Sequence, residues 1–196
     1  MRFLIDCSKA RIQDRIEQWS EGVAGQLLTP LTGYANAGMP YGIDNGAFST
    51  FHHDRYLALL RRNIPNRASC LFVTSPDVVG DCTTTRELYS VWYPFLCARW
   101  PVAFVGQDGC ERIPATADWL FVGGSTEWKD SVYADRLVHR TLSEGKKVHV
   151  GRVNTLRRYL HFRDLGCHTC DGSGVSRFDH MWTSLRDGVQ HQIQST

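Results

Sequence analysis

A compact (β/α)8, TIM-like barrel is the fold class predicted for this chain of 196 residues, and three observations predict it. Eight short apolar runs rich in Val, Ile, Leu and Phe recur along the chain, with amphipathic stretches between most of them, as in repeated βα units. The runs are nearly continuous in apolar character, as strands covered on both faces are. Eight such units leave about 24 residues each, at the short end of that fold. An open doubly wound sheet is the competing architecture, although no Gly-x-Gly-x-x-Gly follows the first run.

The first strand is expected at 3–5, followed by a helix over 10–19 that lines up Ile12, Ile16 and Trp19. Strands at 26–29 and 41–43 come next, then a helix at 53–62 carrying Tyr56, Leu57, Leu59 and Leu60, with Asp54 near its start. After a strand at 70–74, a helix over 85–99 shows a stripe of Leu88, Val91, Trp92 and Phe95. Asp81 stands before it as a cap, and Pro94 is expected to kink or split it. Strands at 102–105 and 119–122 flank a stretch from Gln107 to Gly123 too short for a full helix, so one outer helix is expected to be missing or reduced. Helices at 131–144 and 155–165, on either side of a strand at 147–150, end at Gly145 and Gly166. A short strand at 169–170 and a helix over 178–189 complete the count, and 190–196 reads as a polar tail of this one domain.

The charge balance excludes several partners. With 22 Lys and Arg against 20 Asp and Glu, the chain has neither a polybasic arm nor an acidic tail, so nucleic-acid affinity has to come from local charge. No apolar run is long enough to span a membrane and no signal-peptide pattern opens the chain, so no membrane partner and a cytoplasmic location are expected. Seven scattered cysteines read as reduced thiols. Cys167 and Cys170 have zinc-ligand spacing but lack a second pair, and no metal or cofactor is expected.

Six of the strand candidates run into a small residue beside a polar one. The segments are Asp44-Asn45-Gly46, Ser75-Pro76-Asp77, Gly106-Gln107-Asp108-Gly109, Gly123-Gly124-Ser125-Thr126, Gly151-Arg152-Val153-Asn154 and Asp171-Gly172-Ser173-Gly174. In a parallel sheet or barrel these ends converge on one face. Any single Asp here serves equally well as a helix cap, and Gly123-Gly124 as a tight turn, but six recurrences are harder to explain so. Carboxylates, a carboxamide and backbone amides opened by glycine suit a purine, above all guanine. Asp accepts from N1–H and the exocyclic amine, while Gln or a backbone N–H donates to O6. Phe48 is a candidate to stack on the ring, and His149, inside a strand pattern, reads as a structural core residue.

Taken in order, Asp44-Asn45-Gly46-Ala47-Phe48, Pro76-Asp77-Val78-Val79-Gly80-Asp81, Gln107-Asp108-Gly109, Gly123-Gly124-Ser125-Thr126-Glu127-Trp128-Lys129, Gly151-Arg152-Val153-Asn154 and Asp171-Gly172 resemble the tRNA-guanine transglycosylase superfamily. The likeness covers roughly residues 28–178 and is greatest to the short phage-type members, the DpdA deazaguanine DNA transglycosylases. The resemblance implies a (β/α)8 barrel that exchanges guanine in DNA for a 7-deazaguanine, such as 7-cyano-7-deazaguanine, and a host-cell cytoplasm if the chain is phage-encoded. It implies Asp171 as the nucleophile at C1′ and Asp44 as the acid/base. Asp77, Gln107 and the Gly123-Gly124 backbone become the purine-recognising groups.

Elementary chemistry agrees with those roles. A carboxylate nucleophile gives a covalent glycosyl intermediate, two displacements retain configuration, and a second carboxylate manages protons on the two bases. The zinc-binding Cys/Cys/Cys/His insertion of the tRNA enzymes is absent from the sequence, which favours DNA, whose target base has to leave the stack. Arg152 is expected to bind substrate, and Arg157, Arg158 and Arg177 to contact the nucleic-acid backbone around the mouth. Arg157 and Arg158 read equally as a solvated helix face. A helper protein or a homo-oligomer is a further expected partner. A nucleoside-type N-glycosidase or base transferase and an inactive purine-binding barrel are the alternative readings.

Overall fold

The structure is a computed structural model that describes residues 1–194. Its strands are β1 (Arg2–Ile5), β2 (Val23–Leu28), β3 (Tyr41–Ile43), β4 (Cys70–Thr74), β5 (Val102–Gly106), β6 (Trp119–Val122), β7 (Lys147–Val150) and β8 (Thr169–Cys170). They pair in parallel in sequence order, and β8 closes onto β1 through Arg2↔Thr169 and Phe3↔Cys170. This is the closed barrel the apolar runs predict, and an open sheet is excluded.

The outer layer is made by α1 (Lys9–Gln18), α2 (His53–Asn63), α3 (Cys82–Cys97), α5 (Val132–Ser143), α6 (Leu156–Asp164) and α8 (Asp179–Gln194). Two short helices, α4 (Thr126–Lys129) and α7 (Ser173–Arg177), sit just beyond β6 and β8. No helix joins β5 to β6, as the length of that stretch predicts. The β2–β3 connection also lacks one, which the sequence pattern does not announce. Gln26 holds that connection in place of helix packing. Its buried Nε2 donates to the carbonyls of Cys7 and Ala35 at 3.0 Å, and its Oε1 accepts from the Ala37 N–H at 2.8 Å.

Three helix expectations need adjustment. Helix α3 starts earlier than predicted because Asp81 caps it, accepting from the Thr84 N–H at 3.0 Å and hydroxyl at 2.6 Å. It also runs unbroken through Pro94. A proline in the last turn removes one hydrogen bond where few remain to be made, so the helix neither splits nor ends there. Helix α8 extends to Gln194 and takes in 190–194 of the supposed polar tail, while 195–196 lie outside the described residues.

Period-two alternation along the strands sorts the core into two layers. Leu4, Leu27, Phe72, Ala103, Val105, Trp119 and Phe121 fill the barrel interior. Phe3, Ile5, Val73, Phe104, Leu120 and Val150 pack with the outer-layer cluster, where each fully buried side chain contributes roughly 1.5–3 kcal/mol. Cys167 and Cys170 belong to this outer layer, where burial pushes the Cys167 thiol up to about 12, so they are packing residues. Among the described residues no helix is long and apolar enough to cross a membrane, and no group of three or more His, Cys, Asp or Glu is arranged to hold a metal.

Candidate active site

The C-terminal ends of the strands open onto two adjoining clefts. The first spans about 430 Å³ of space partly open to solvent and is lined by Asp44, Phe48, Asp77, Gln107, Gly123, Gly124, Arg152 and Asp171, together with Val105, Phe121 and Gly151. The second, of about 800 Å³, shares Asp44, Phe48, Arg152 and Asp171 and adds Asp6, Thr29, Thr32, Ser49, Ser173 and Arg177. Both proposed catalytic residues and all six proposed substrate-binding residues therefore meet at one place. Parallel strand ends separated by up to 127 positions in the chain converge only because the barrel closes.

Asp44 leaves β3 with Oδ1 accepting from the Gly46 N–H at 3.3 Å. Burial raises its pKa to about 7, and the neighbouring carboxylates of Asp171 and Asp77 push in the same direction. Asp77 is held on both oxygens. Asn45 Nδ2 donates to Oδ1 at 2.8 Å and Gln107 Nε2 to Oδ2 at 2.6 Å. Burial nevertheless outweighs these two bonds and lifts Asp77 to about 6. Gln107 Oε1 accepts from the Gly124 N–H at 3.0 Å and the Gly80 N–H at 2.9 Å, which fixes the orientation of the carboxamide. One Nε2 hydrogen remains for an acceptor in the cleft.

The Gly123-Gly124 backbone differs from expectation. The Gly123 N–H donates to the Gly106 carbonyl at 3.0 Å, and the Gly124 N–H is the one held by Gln107. These amides are engaged in β5–β6 pairing and loop attachment. The glycines contribute room instead, since a Cβ on Gly123 would stand 2.9 Å from Gln107 Nε2 and 2.7 Å from Val105.

Asp171 follows β8. Its Oδ1 faces His149 Nε2 at 3.0 Å, and its Oδ2 faces the Arg152 N–H at 3.4 Å. Arg152 is the one non-glycine residue with positive φ, 60°, among the described residues. Its guanidinium donates to the Gly124 carbonyl and lies 4.2 Å from the centroid of the Phe48 ring, which is 63% exposed. Beneath it, the buried Lys129 donates to the Gly151 carbonyl, and burial, with Arg152 adding, lowers its ammonium to about 7.

The basic rim is smaller than predicted. Arg177 lines the second cleft, but Arg157 and Arg158 both reach Asp130. Arg158 donates through Nε at 3.1 Å and Nη2 at 2.9 Å, its side chain 14% exposed, so it is committed to an internal ion pair rather than to a ligand. Arg157 donates to the same carboxylate at 2.9 Å from a mostly exposed position.

Four participants escape the sequence reading. Asp6 directly follows β1, accepts from the Thr32 hydroxyl at 2.8 Å, and is raised to about 6 by burial, with Asp171 adding. The strand-end rule applied to the first strand would have found it. Asn45 and Lys129 lie inside motifs already singled out, but their partners on other strands are invisible in one dimension. His149 carries no signal that distinguishes it from a core histidine.

No protein-family profile matches the chain, and no curated protein does. Among solved structures it is similar to 3-hexulose-6-phosphate synthase, with 12% identity and a TM-score of 0.48 over 95% of this chain and 98% of that one. It is also similar to the Bacillus subtilis YkuI protein with an EAL domain, in complex with c-di-GMP and calcium. There the identity is 12% and the TM-score 0.39, over 95% of this chain and 50% of the other. Likenesses this distant carry no argument about chemistry.

Proposed function

We propose that the chain is a base-exchange transglycosylase that replaces guanine in DNA with a 7-deazaguanine, as its resemblance to the guanine transglycosylases implies. The observation that carries this reading is the meeting of Asp44 and Asp171 in the cleft that also holds the Asp77–Gln107 pair. Asp171 attacks C1′, the glycosidic bond breaks, and guanine leaves with the Asp44 proton. The entering 7-deazaguanine returns a proton to Asp44 as its nitrogen attacks C1′ and releases Asp171. Two inversions give net retention. Asp77 accepts from N1–H and the exocyclic amine, and the remaining Nε2 hydrogen of Gln107 donates to O6. An acid/base group with a pKa near 7 is matched to this double duty.

The pairing of Arg157 and Arg158 with Asp130 favours a second reading, base exchange on free nucleosides, because it leaves few cations for a DNA backbone. On DNA, Arg177 and Arg152 act with a helper protein or a second copy of the chain. Mass spectrometry of nucleosides from DNA of cells with and without the protein tests the first reading. A deazaguanine deoxynucleoside is expected with the wild-type protein and lost with Asp171→Asn. DNA without it, alongside exchange on a mononucleoside, transfers the assignment to the second reading.

A further inference from the structure

His149 is a fully buried polar side chain inside the barrel, with ring centroids 4.9 Å from Phe72 and 4.7 Å from Phe121. A polar ring in such surroundings requires both nitrogens to be satisfied. The β7–β8 register places His149 beside Thr169, and Nδ1 lies 2.8 Å from the Thr169 hydroxyl. Nε2 lies 3.0 Å from Asp171 Oδ1. Burial drives the imidazole below its ordinary pKa, against the pull of Asp171, so the ring is neutral at pH 7. A carboxylate oxygen only accepts, so Nε2 carries the hydrogen and Nδ1 accepts from Thr169. The chain of bonds runs Thr169 hydroxyl to His149 to Asp171.

We propose that His149 is the positioning residue of the Asp171 nucleophile, pinning Oδ1 so that Oδ2 is presented to the anomeric carbon; this rests on the transglycosylase reading above. Rotation of the carboxylate about its last bond would break the 3.0 Å contact, and Phe72 and Phe121 keep the imidazole from following. Oδ2, by contrast, meets only the long 3.4 Å contact from the Arg152 N–H, which an attacking oxygen can relinquish. The arrangement limits the carboxylate to one productive orientation before substrate arrives.

Two measurements test this. The first needs no substrate: with ring-labelled histidine, NMR at pH 7 is expected to show His149 neutral with the proton on Nε2, and Asp171→Ala to move that proton's resonance upfield. An Nδ1-protonated ring, or a resonance indifferent to Asp171→Ala, overturns the pairing. The second is kinetic. His149→Phe keeps ring volume but removes the donor and is expected to slow base exchange about 10- to 100-fold with the base KM unchanged, the scale of loss when a supporting hydrogen bond to a reactive group is removed. His149→Gln, which restores an N–H donor, is expected to recover most of the loss. Equal losses in both variants, or none in His149→Phe, overturn the inference while the transglycosylase reading stands. A wild-type protein that exchanges no base overturns both.

Discussion

Gln107 Nε2 donates to Asp77 Oδ2 at 2.6 Å while the other end of the same carboxamide is fixed by two backbone N–H groups. The amide thus orients the carboxylate that is proposed to read the purine edge. Gln107→Glu keeps an oxygen to accept from the Gly80 and Gly124 amides, but it sets two carboxyl groups at that separation, where both cannot ionise, and removes the Nε2 donor. The expected result is a base KM raised at least about tenfold, or roughly 1.4 kcal/mol of binding, with a smaller effect on kcat. Steady-state kinetics with varied 7-deazaguanine checks it, and an unchanged KM would remove Gln107 from base recognition.

Asp44 makes a prediction about rate. Its carboxyl holds a proton up to about 7, chiefly through burial. In the proposed reaction the first displacement uses that proton for the departing guanine, so single-turnover formation of the covalent adduct is expected to fall as pH rises through about 7. Asp44→Asn is expected to lose this limb together with most of the rate. A rapid-quench pH series separates the outcomes, since a flat profile through neutrality would assign proton transfer elsewhere.

The same group makes a prediction about stability, with the sign set by linkage. The folded carboxyl titrates near 7 and the unfolded one near 3.9, so between these values the folded state binds more protons and stability falls as pH rises. Asp44→Asn removes that loss. Its thermal midpoint is expected to exceed that of the wild type at pH 8 and to converge with it near pH 4. Asp6 and Asp77, raised to about 6, act in the same direction and leave a residual slope in the variant. Differential scanning calorimetry across that range decides it.

These carboxyls also show how far the sequence reaches. Each strand was legible because a strand buried on both faces needs a continuous apolar run, and Asp44, Asp77, Gln107 and Asp171 because a parallel strand end has to deliver its next residues to one common face. Which groups then touch depends on register and on pairings across the barrel. His149 meets Thr169 and Asp171 because β7 and β8 lie side by side, and Arg158 meets Asp130 across 28 positions. Neither relation leaves a trace in local periodicity. The helix-free β2–β3 connection is hidden for the same reason, since Gln26 organises it through carbonyls on two separate segments.

Arg177 and Arg158 are expected to separate in a salt titration. If Arg177 contacts a phosphate, Arg177→Ala should weaken DNA binding uniformly across sequences and reduce the slope of log K against log salt by about 0.9. Arg158→Ala should leave that slope unchanged and instead cost about 1 kcal/mol of stability by removing the better-buried of the two partners of Asp130, which then keeps only the exposed Arg157. In a domain of this size that lowers Tm by roughly 2–4 °C. Fluorescence anisotropy at several salt concentrations, with melting curves, checks both. A reduced slope in Arg158→Ala would return that residue to the nucleic-acid surface.

Arg152 makes opposite predictions for stability and activity. Its φ of 60° is unfavourable for a side chain with a Cβ, at a cost on the order of 1 kcal/mol. Glycine adopts that backbone freely, so Arg152→Gly relieves the strain while adding freedom to the unfolded chain, and the two effects roughly offset. The guanidinium's bond to the Gly124 carbonyl and its place over Phe48 are lost with the side chain. The Arg152 N–H facing Asp171 survives, because it belongs to the backbone. The expected outcome is a melting temperature close to that of the wild type and a base KM raised about tenfold, the weight of one lost cation–π and hydrogen-bond contact at a ligand wall. Arg152→Ala keeps the strain without the added unfolded-chain freedom and loses the same contacts, so it should match the glycine variant in KM and melt close to it. A glycine variant that melts well above the alanine one would show that the strain at 152 outweighs the entropic cost of glycine.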